Sequence, residues 1–194
     1  MSVVVGTTCW ELVAHAIVSR EGRIAAADGS MPPCLHVAED QIRFRAALNA
    51  ADVTILGRQG HERHPPEDRR RVVLTSRVAA LEGGGAVVFW NPDGTSIDVA
   101  LARLELKGPC RTAAIAGGTR VMTALLPATD RFDLVVAGDC SIPEGRACLT
   151  GAGGVAAIRR RIASAGLRPL PHSPLGSAVL HAFTREPQVP PVSQ

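Results

Sequence analysis

Short apolar runs recur along the whole chain, and none is long enough to be a buried helix of ordinary length. They are Glu11–Ser19, Val53–Leu56, Val72–Leu74, Ala86–Trp90, Thr112–Ala116 and Phe132–Ala137. Runs of this length bounded by Gly, Pro, Asn or Asp read as buried strands. The stretches between them are more polar and read as helices: Ala38–Ala51, a segment capped by Thr95 or Ser96 and running to about Leu104, Thr119–Leu126, and Gly154–Ala165 stopped by Gly166. Leu35, Ile42, Phe44 and Leu48 are the expected inner face of the first helix. Strands alternating with helices predict an α/β fold, a mainly parallel central sheet flanked by helices on both faces. Leu167–Leu170 and Ala178–Phe183, joined through Pro171–Gly176, are expected to close it as an antiparallel hairpin. No repeat or linker divides the chain. Residues 1–194 therefore read as a single domain with an ordered core at about 11–185, a loosely anchored start and a loose tail from Glu186.

With 46% hydrophobic residues, 20% charged and only 3% aromatic, the core must be built from Val, Ile, Leu and Ala. The net charge is +3. The clusters Arg69-Arg70-Arg71 and Arg159-Arg160-Arg161 read either as solvated faces or as partners of a phosphate-rich ligand. There is no long basic stripe with interleaved aromatics, so nucleic-acid binding is not expected. Cysteines stand at 9, 34, 110, 140 and 148, with no CxxC pair and no histidine at ligand spacing, so no metal site is expected. Their odd number points to reduced thiols and a cytoplasmic protein. No apolar run approaches the ~20 residues of a membrane span.

Several strand ends carry groups suited to a ligand. Gly117-Gly118 stands directly after an apolar run and before a helix, where glycines let backbone approach a diphosphate; a tight turn of positive φ is the plainer reading. No GxGxxG accompanies it, and Gly83-Gly84-Gly85 and Gly151–Gly154 read as loops. Gly57-Arg58 and Leu74-Thr75-Ser76-Arg77 end two further strands with groups that hold phosphate or ribose, although such residues are also common in turns. Glu39-Asp40 begins the first helix, either as a partner of its dipole or as a carboxylate facing a heterocycle, with Phe44 one turn on. Histidines 15, 61, 64, 172 and 181 show no metal spacing; His15 reads as a core residue close to a pocket.

The order of these pieces resembles the dihydrofolate reductases and their relatives, including the reductase of riboflavin biosynthesis. It is carried by Gly22-Arg23-Ile24-Ala25, Glu39–Arg45, Val53–Arg58, Arg70–Arg77 and Ala114–Gly118, and spans about Glu11 to Arg185. The resemblance implies a dihydrofolate-reductase-like fold and NADPH as cofactor. It implies that Asp40 is the catalytic acid that holds an amino-pyrimidine edge. Substrate would be bound by His15, Ala16, Ile17 and Phe44, with Arg69 or Arg70 gripping an acidic tail. Cofactor would be bound by Gly57, Arg58 and Gln59, by Thr75, Ser76 and Arg77 at a 2′-phosphate, and by Gly117, Gly118, Thr119 and Arg120. The reaction implied is hydride transfer to a C=N bond with protonation of the nitrogen.

The chain departs from the folate-reducing members at several positions. Pro33 follows Met31-Pro32 where they carry Trp, Val135 stands for Thr, Met122 for Tyr and Gly60 for Thr. Pro143–Leu149 looks more like the riboflavin-pathway relatives. The expectation is an NADPH-dependent reductase of a dihydropterin, of dihydromethanopterin or dihydrofolate type. The alternatives are a stand-alone riboflavin-pathway pyrimidine reductase, which goes with a homodimer, and a nucleotide-binding module without catalysis.

Overall fold

The computed structural model describes residues 3–5, 8–64, 69–106 and 108–186. Its centre is a run of six parallel strands. In spatial order they are β9 (Arg131–Ala137), β2 (Thr8–Ser19), β8 (Cys110–Ile115), β4 (Val53–Gly57), β5 (Arg71–Leu74) and β7 (Val87–Trp90). Beyond β7 lies the antiparallel β6 (Leu81–Gly84). Beyond β9 lies β13 (Ala178–Arg185), also antiparallel, which in turn pairs with β11 (Leu167–Pro169) and β12 (Ser173–Leu175). β1 (Val3–Val5) pairs with the start of β2, and a separate two-stranded sheet joins β3 (Arg23–Ala26) to β10 (Gly145–Ala147). The parallel core and antiparallel closing edge are as expected. The second antiparallel edge is not: Gly83 and Gly84, expected in a loop, lie in β6, and only Gly85 lies in the turn that follows.

Side chains alternate across a strand, so each strand has a residue set for each face. Trp10, Leu12, Ala14, Ala16 and Val18 of β2 join Phe132 and Leu134 of β9 and Val53 and Ile55 of β4 in the main core. Three helices pack onto that core: α3 (Ile97–Ala102) through Ile97 and Leu101, α4 (Thr119–Leu125) through Val121, Met122 and Leu125, and α5 (Gly154–Ser164) through Ile158 and Ile162. Trp10 is 1% exposed, so ordered packing begins before residue 11, earlier than the sequence suggests.

The other face of the sheet is covered differently. Ile17, Val135 and Ala137 form a second apolar cluster with Leu35, Val37, Cys140, Ile142 and Ala178. α1 (Ala38–Ala50) and α2 (Arg58–Arg63) lie on this side; Arg43 of α1 reaches Asp133, and His61 of α2 meets the Phe89 ring edge-on at 5.7 Å. α1 has no apolar stripe. Ile42, expected on its inner face, is 71% exposed, and Asp40 is the buried residue of the helix. A helix that buries a carboxylate while exposing isoleucine is held by polar contacts, and those contacts are the candidate site. No helix among the described residues is long and apolar enough to cross a membrane.

Candidate functional site

On the second face, His15 of β2 and Asp133 of β9 stand opposite one another in the parallel register. Both are almost fully buried, and His15 Nδ1 lies 3.6 Å from Asp133 Oδ2. Arg43 fills the space between this pair and α1. Its Nε and Nη2 donate to Asp40 Oδ1 at 3.2 and 2.9 Å. Its Nη1 donates to Asp133 Oδ2 at 2.9 Å and lies 3.4 Å from His15 Nδ1. Asp133 Oδ1 accepts from Arg131 Nε at 2.9 Å. Two carboxylates are thus bridged by one guanidinium, and the inner one is gripped from a second side. Asp40 Oδ2 has no hydrogen-bond partner among the described residues.

Burial is the main influence on His15, whose pKa is pushed down to about 4; Asp133 opposes the shift, and Arg43 and Arg131 add to it. The imidazole is therefore neutral at neutral pH. Arginine has no acceptor, so Nδ1 faces Arg43 as an acceptor and the ring proton belongs on Nε2. The Phe44 ring meets His15 edge-on, with centroids 6.0 Å apart. Ile17 lies on this same face, two residues beyond His15. Ala16 does not: its side chain belongs to the main core on the opposite face, so only its backbone borders the site.

The turn that leads into α1 is anchored covalently. Cys34, in the short 3-10 turn Pro33–Leu35, is disulfide-bonded to Cys140, which follows β9. This corrects the expectation of five reduced thiols; 106 positions of sequence separation had hidden the pair. Cys9, Cys110 and Cys148 are free, and burial pushes the Cys148 thiol up to about 12. The preceding segment, Ala27 to Gly29, is held from outside. Arg63 donates to the carbonyls of Gly29 and, at 3.3 Å, Asp28, and Arg146 donates to Ala27 at 3.4 Å and to Gln59 Oε1.

The expected cofactor residues lie at the carboxyl ends of β4, β5 and β8, where ligands of such sheets bind. Gly117 and Gly118 have φ of 121° and 95°. A Cβ on Gly117 would meet nothing within 4 Å, so the bend borders open space, while one on Gly118 would lie 4.0 Å from the Gly57 nitrogen. The β8 and β4 ends therefore converge. Thr119 Oγ1 donates to the Ala147 carbonyl, Arg120 pairs with Asp93 at 3.0 Å, and Arg58 pairs with Glu62 at 2.5 Å. Thr75 is buried and its Oγ1 accepts from the Arg77 amide at 3.2 Å, which turns the chain and leaves Ser76 and Arg77 exposed. The Arg77 guanidinium has no ion partner among the described residues. An open glycine bend at the end of β8 and an exposed guanidinium without an ion partner after β5 are groups that suit the phosphates of a dinucleotide.

The β2–β8 register ends at Ala14↔Ile115, so continuing it sets Ala16 and Ile17 level with Gly117 and Gly118. Both halves thus open at the same end of the sheet. Arg69 and Arg70 lie elsewhere. With Leu48, Asn49, Asp52 and Thr54 they line a cavity of about 330 Å³ at the far end of α1, and Arg69 donates to Asn49 Oδ1. The rise along α1 from Asp40 to Asn49 is about 14 Å. Met122, at the position of a family tyrosine, is 2% exposed within the main core and does not face the cleft.

Arg43, Asp133 and Arg131 are absent from the residues expected for the site. The i, i+3 spacing of Asp40 and Arg43 was a usable signal, as was an aspartate at an alternate position of the apolar run Phe132–Ala137. Asp133 faces His15 through the β2–β9 register, and Arg43 reaches Asp133 through the docking of α1 on that face; no local pattern encodes either.

No protein-family model matches the chain, and no curated protein matches it in sequence. Solved structures do match its fold. A protein of Shewanella sp. PV-4 assigned to riboflavin biosynthesis superposes with a TM-score of 0.64 and 16% identity, over 91% of this chain and 99% of that one. Dihydrofolate reductase of Enterococcus faecalis, solved with NADP(H) and RAB-propyl, superposes with a TM-score of 0.58 and 19% identity, over 91% of this chain and 97% of that one. The chain has the dihydrofolate-reductase-like α/β fold.

Proposed function

We propose that the protein is an NADPH-dependent reductase that acts on a C=N bond of a dihydropterin, of the dihydromethanopterin or dihydrofolate type. The observation that carries this reading is the placement of a buried carboxylate, Asp40, on the same end of the sheet as the open Gly117-Gly118 bend. Gly57, Gly117 and Gly118 would hold the diphosphate, and Ser76 and Arg77 the adenosine 2′-phosphate. NADPH supplies the hydride when bound. Asp40 Oδ2 accepts an N–H of the ring and so fixes which ring atom faces the cofactor cleft. Phe44 and Ile17 supply apolar walls, and the disulfide and Arg43 fix the helix that carries the carboxylate. The neutral His15 cannot serve as the acid, because its pKa lies far below neutrality. The proton for the ring nitrogen comes through the Asp40 side of the pocket.

A second reading is favoured by the likeness to a protein assigned to riboflavin biosynthesis. Here the substrate is a ribosylamino-pyrimidine phosphate and the enzyme a homodimer. One experiment separates the two. NADPH oxidation is followed with each dihydropterin and with the pyrimidine phosphate, for the wild type and for Asp40→Asn. Turnover of a dihydropterin that the substitution abolishes supports the first reading; turnover of the pyrimidine alone supports the second.

A further inference from the structure

A carboxylate that receives an amidine-type ring edge, with two parallel N–H groups, uses one oxygen for each. Asp40 is not free to do so. Its Oδ1 already accepts Nε and Nη2 of Arg43, which occupies both lone pairs of that oxygen. Arg43 is not free to leave either. Its Nη1 holds Asp133, which is 4% exposed, and a carboxylate that deep loses heavily if a partner is withdrawn. The helix itself is pinned by Cys34–Cys140 just before its first turn. What Asp40 offers a ligand is therefore a single oxygen, Oδ2.

Resting on the reading of Asp40 as the carboxylate that faces the ring, we infer that Arg43 sets the specificity of the pocket by limiting Asp40 to one ring donor. The site reads the lactam N–H of a pterin-like ring and does not read the neighbouring exocyclic amino group. Its substrate class is then wider than the pterins and includes their deamino, lactam-only counterparts. Arg43 acts through Asp40 and is a positioning residue. A charged bridge of this kind is a weak source of stability compared with apolar packing, so its effect is sought in ligand choice.

The test is equilibrium binding of pterin and of its deamino analogue to the NADPH-loaded protein, for wild type, Arg43→Lys and Arg43→Leu, with thermal unfolding recorded for each. The wild type is expected to bind both rings within about twofold, a difference worth less than one net hydrogen bond. Arg43→Leu frees Oδ1 and is expected to prefer pterin by about tenfold or more, the worth of a hydrogen bond to a charged acceptor. Arg43→Lys keeps a donor for Oδ1 and stays close to the wild type. A wild type that already prefers pterin about tenfold overturns the inference, and this arm stands even if Arg43→Leu fails to fold. Equal binding of both rings to wild type and to folded Arg43→Leu overturns it as well, while leaving Asp40 as the ring carboxylate. If neither ring binds any of the three proteins, the reading of Asp40 falls and the inference with it.

Discussion

Arg43 holds Asp40 from one turn further along the same helix, with Nη2 2.9 Å from Oδ1, and the opposite side of the same guanidinium lies 2.9 Å from Asp133. A helix without an apolar stripe is thus docked on the sheet through charge. Removing one end of that bridge leaves the other in a poorly solvated place. Asp133→Ala should lower the unfolding free energy by about 2–3 kcal/mol, less than the ~3–5 kcal/mol of a fully buried pair because the Arg43 side chain keeps 21% of its exposure. Urea denaturation of the variant measures it.

Asp40→Asn keeps the shape of the side chain and removes its charge. It should lower kcat/KM for the true substrate by about 100-fold or more, the usual range for a group that orients a ring and manages its proton. NADPH binding should be unchanged, since Asp40 touches none of the residues at the glycine bend. Full turnover by this variant would remove Asp40 from the mechanism.

His15 gives the fold an acid-sensitive point. Its folded pKa of about 4 lies below the value of 6.5 in an unfolded chain. Between those two values the unfolded chain binds the proton and the folded one does not, so stability is complete above 6.5 and falls as the pH drops towards 4. Melting temperatures measured across that window should fall more steeply for wild type than for His15→Gln, which has nothing to protonate there.

The Cys34–Cys140 bond closes a long loop, and its removal should cost about 2–5 kcal/mol. Cys34→Ser should lower the melting temperature, and a thiol reductant should lower that of the wild type without affecting the variant. If reductant leaves the wild type unchanged, the pair does not contribute in solution.

Gly117 has φ of 121°, where an L side chain is strained. Gly117→Ala should destabilise the protein by about 1–3 kcal/mol and also weaken NADPH binding, because the new methyl points into the open space of the cleft. Calorimetry with NADPH measures both effects. Loss of stability with unchanged NADPH affinity would place the cofactor elsewhere.

The parallel core was readable because each buried strand is a short apolar run closed by a turn residue; Val72–Leu74 and Phe132–Ala137 lie within strands, and Thr112–Ala116 overruns β8 by one residue. The position of the glycine bend followed from the same pattern. β6 is not legible in the sequence because Gly83 and Gly84 signal a loop, and they pair only because Val87 and Val88 run beside them. Of the expected inner face of α1, Leu35 is buried and Phe44 and Leu48 are half-buried, while Ile42 faces outward and Asp40 takes the inner position, because the helix docks through charge as well as apolar contact. Arg43, Asp133, Arg131 and the Cys34–Cys140 pair share one reason for being hidden. Arg43 meets Asp133, and Cys34 meets Cys140, only once α1 is docked beside β9, and Asp133 faces His15 only once β2 and β9 are in register; both are properties of the assembled sheet.

NADPH oxidation by the purified protein, with dihydromethanopterin, dihydrofolate and the ribosylamino-pyrimidine phosphate offered separately, decides whether the protein is a dihydropterin reductase. Turnover of a dihydropterin, abolished by Asp40→Asn, is expected. NADPH that binds tightly and is oxidised with none of the three would contradict it and leave a nucleotide-binding module in its place.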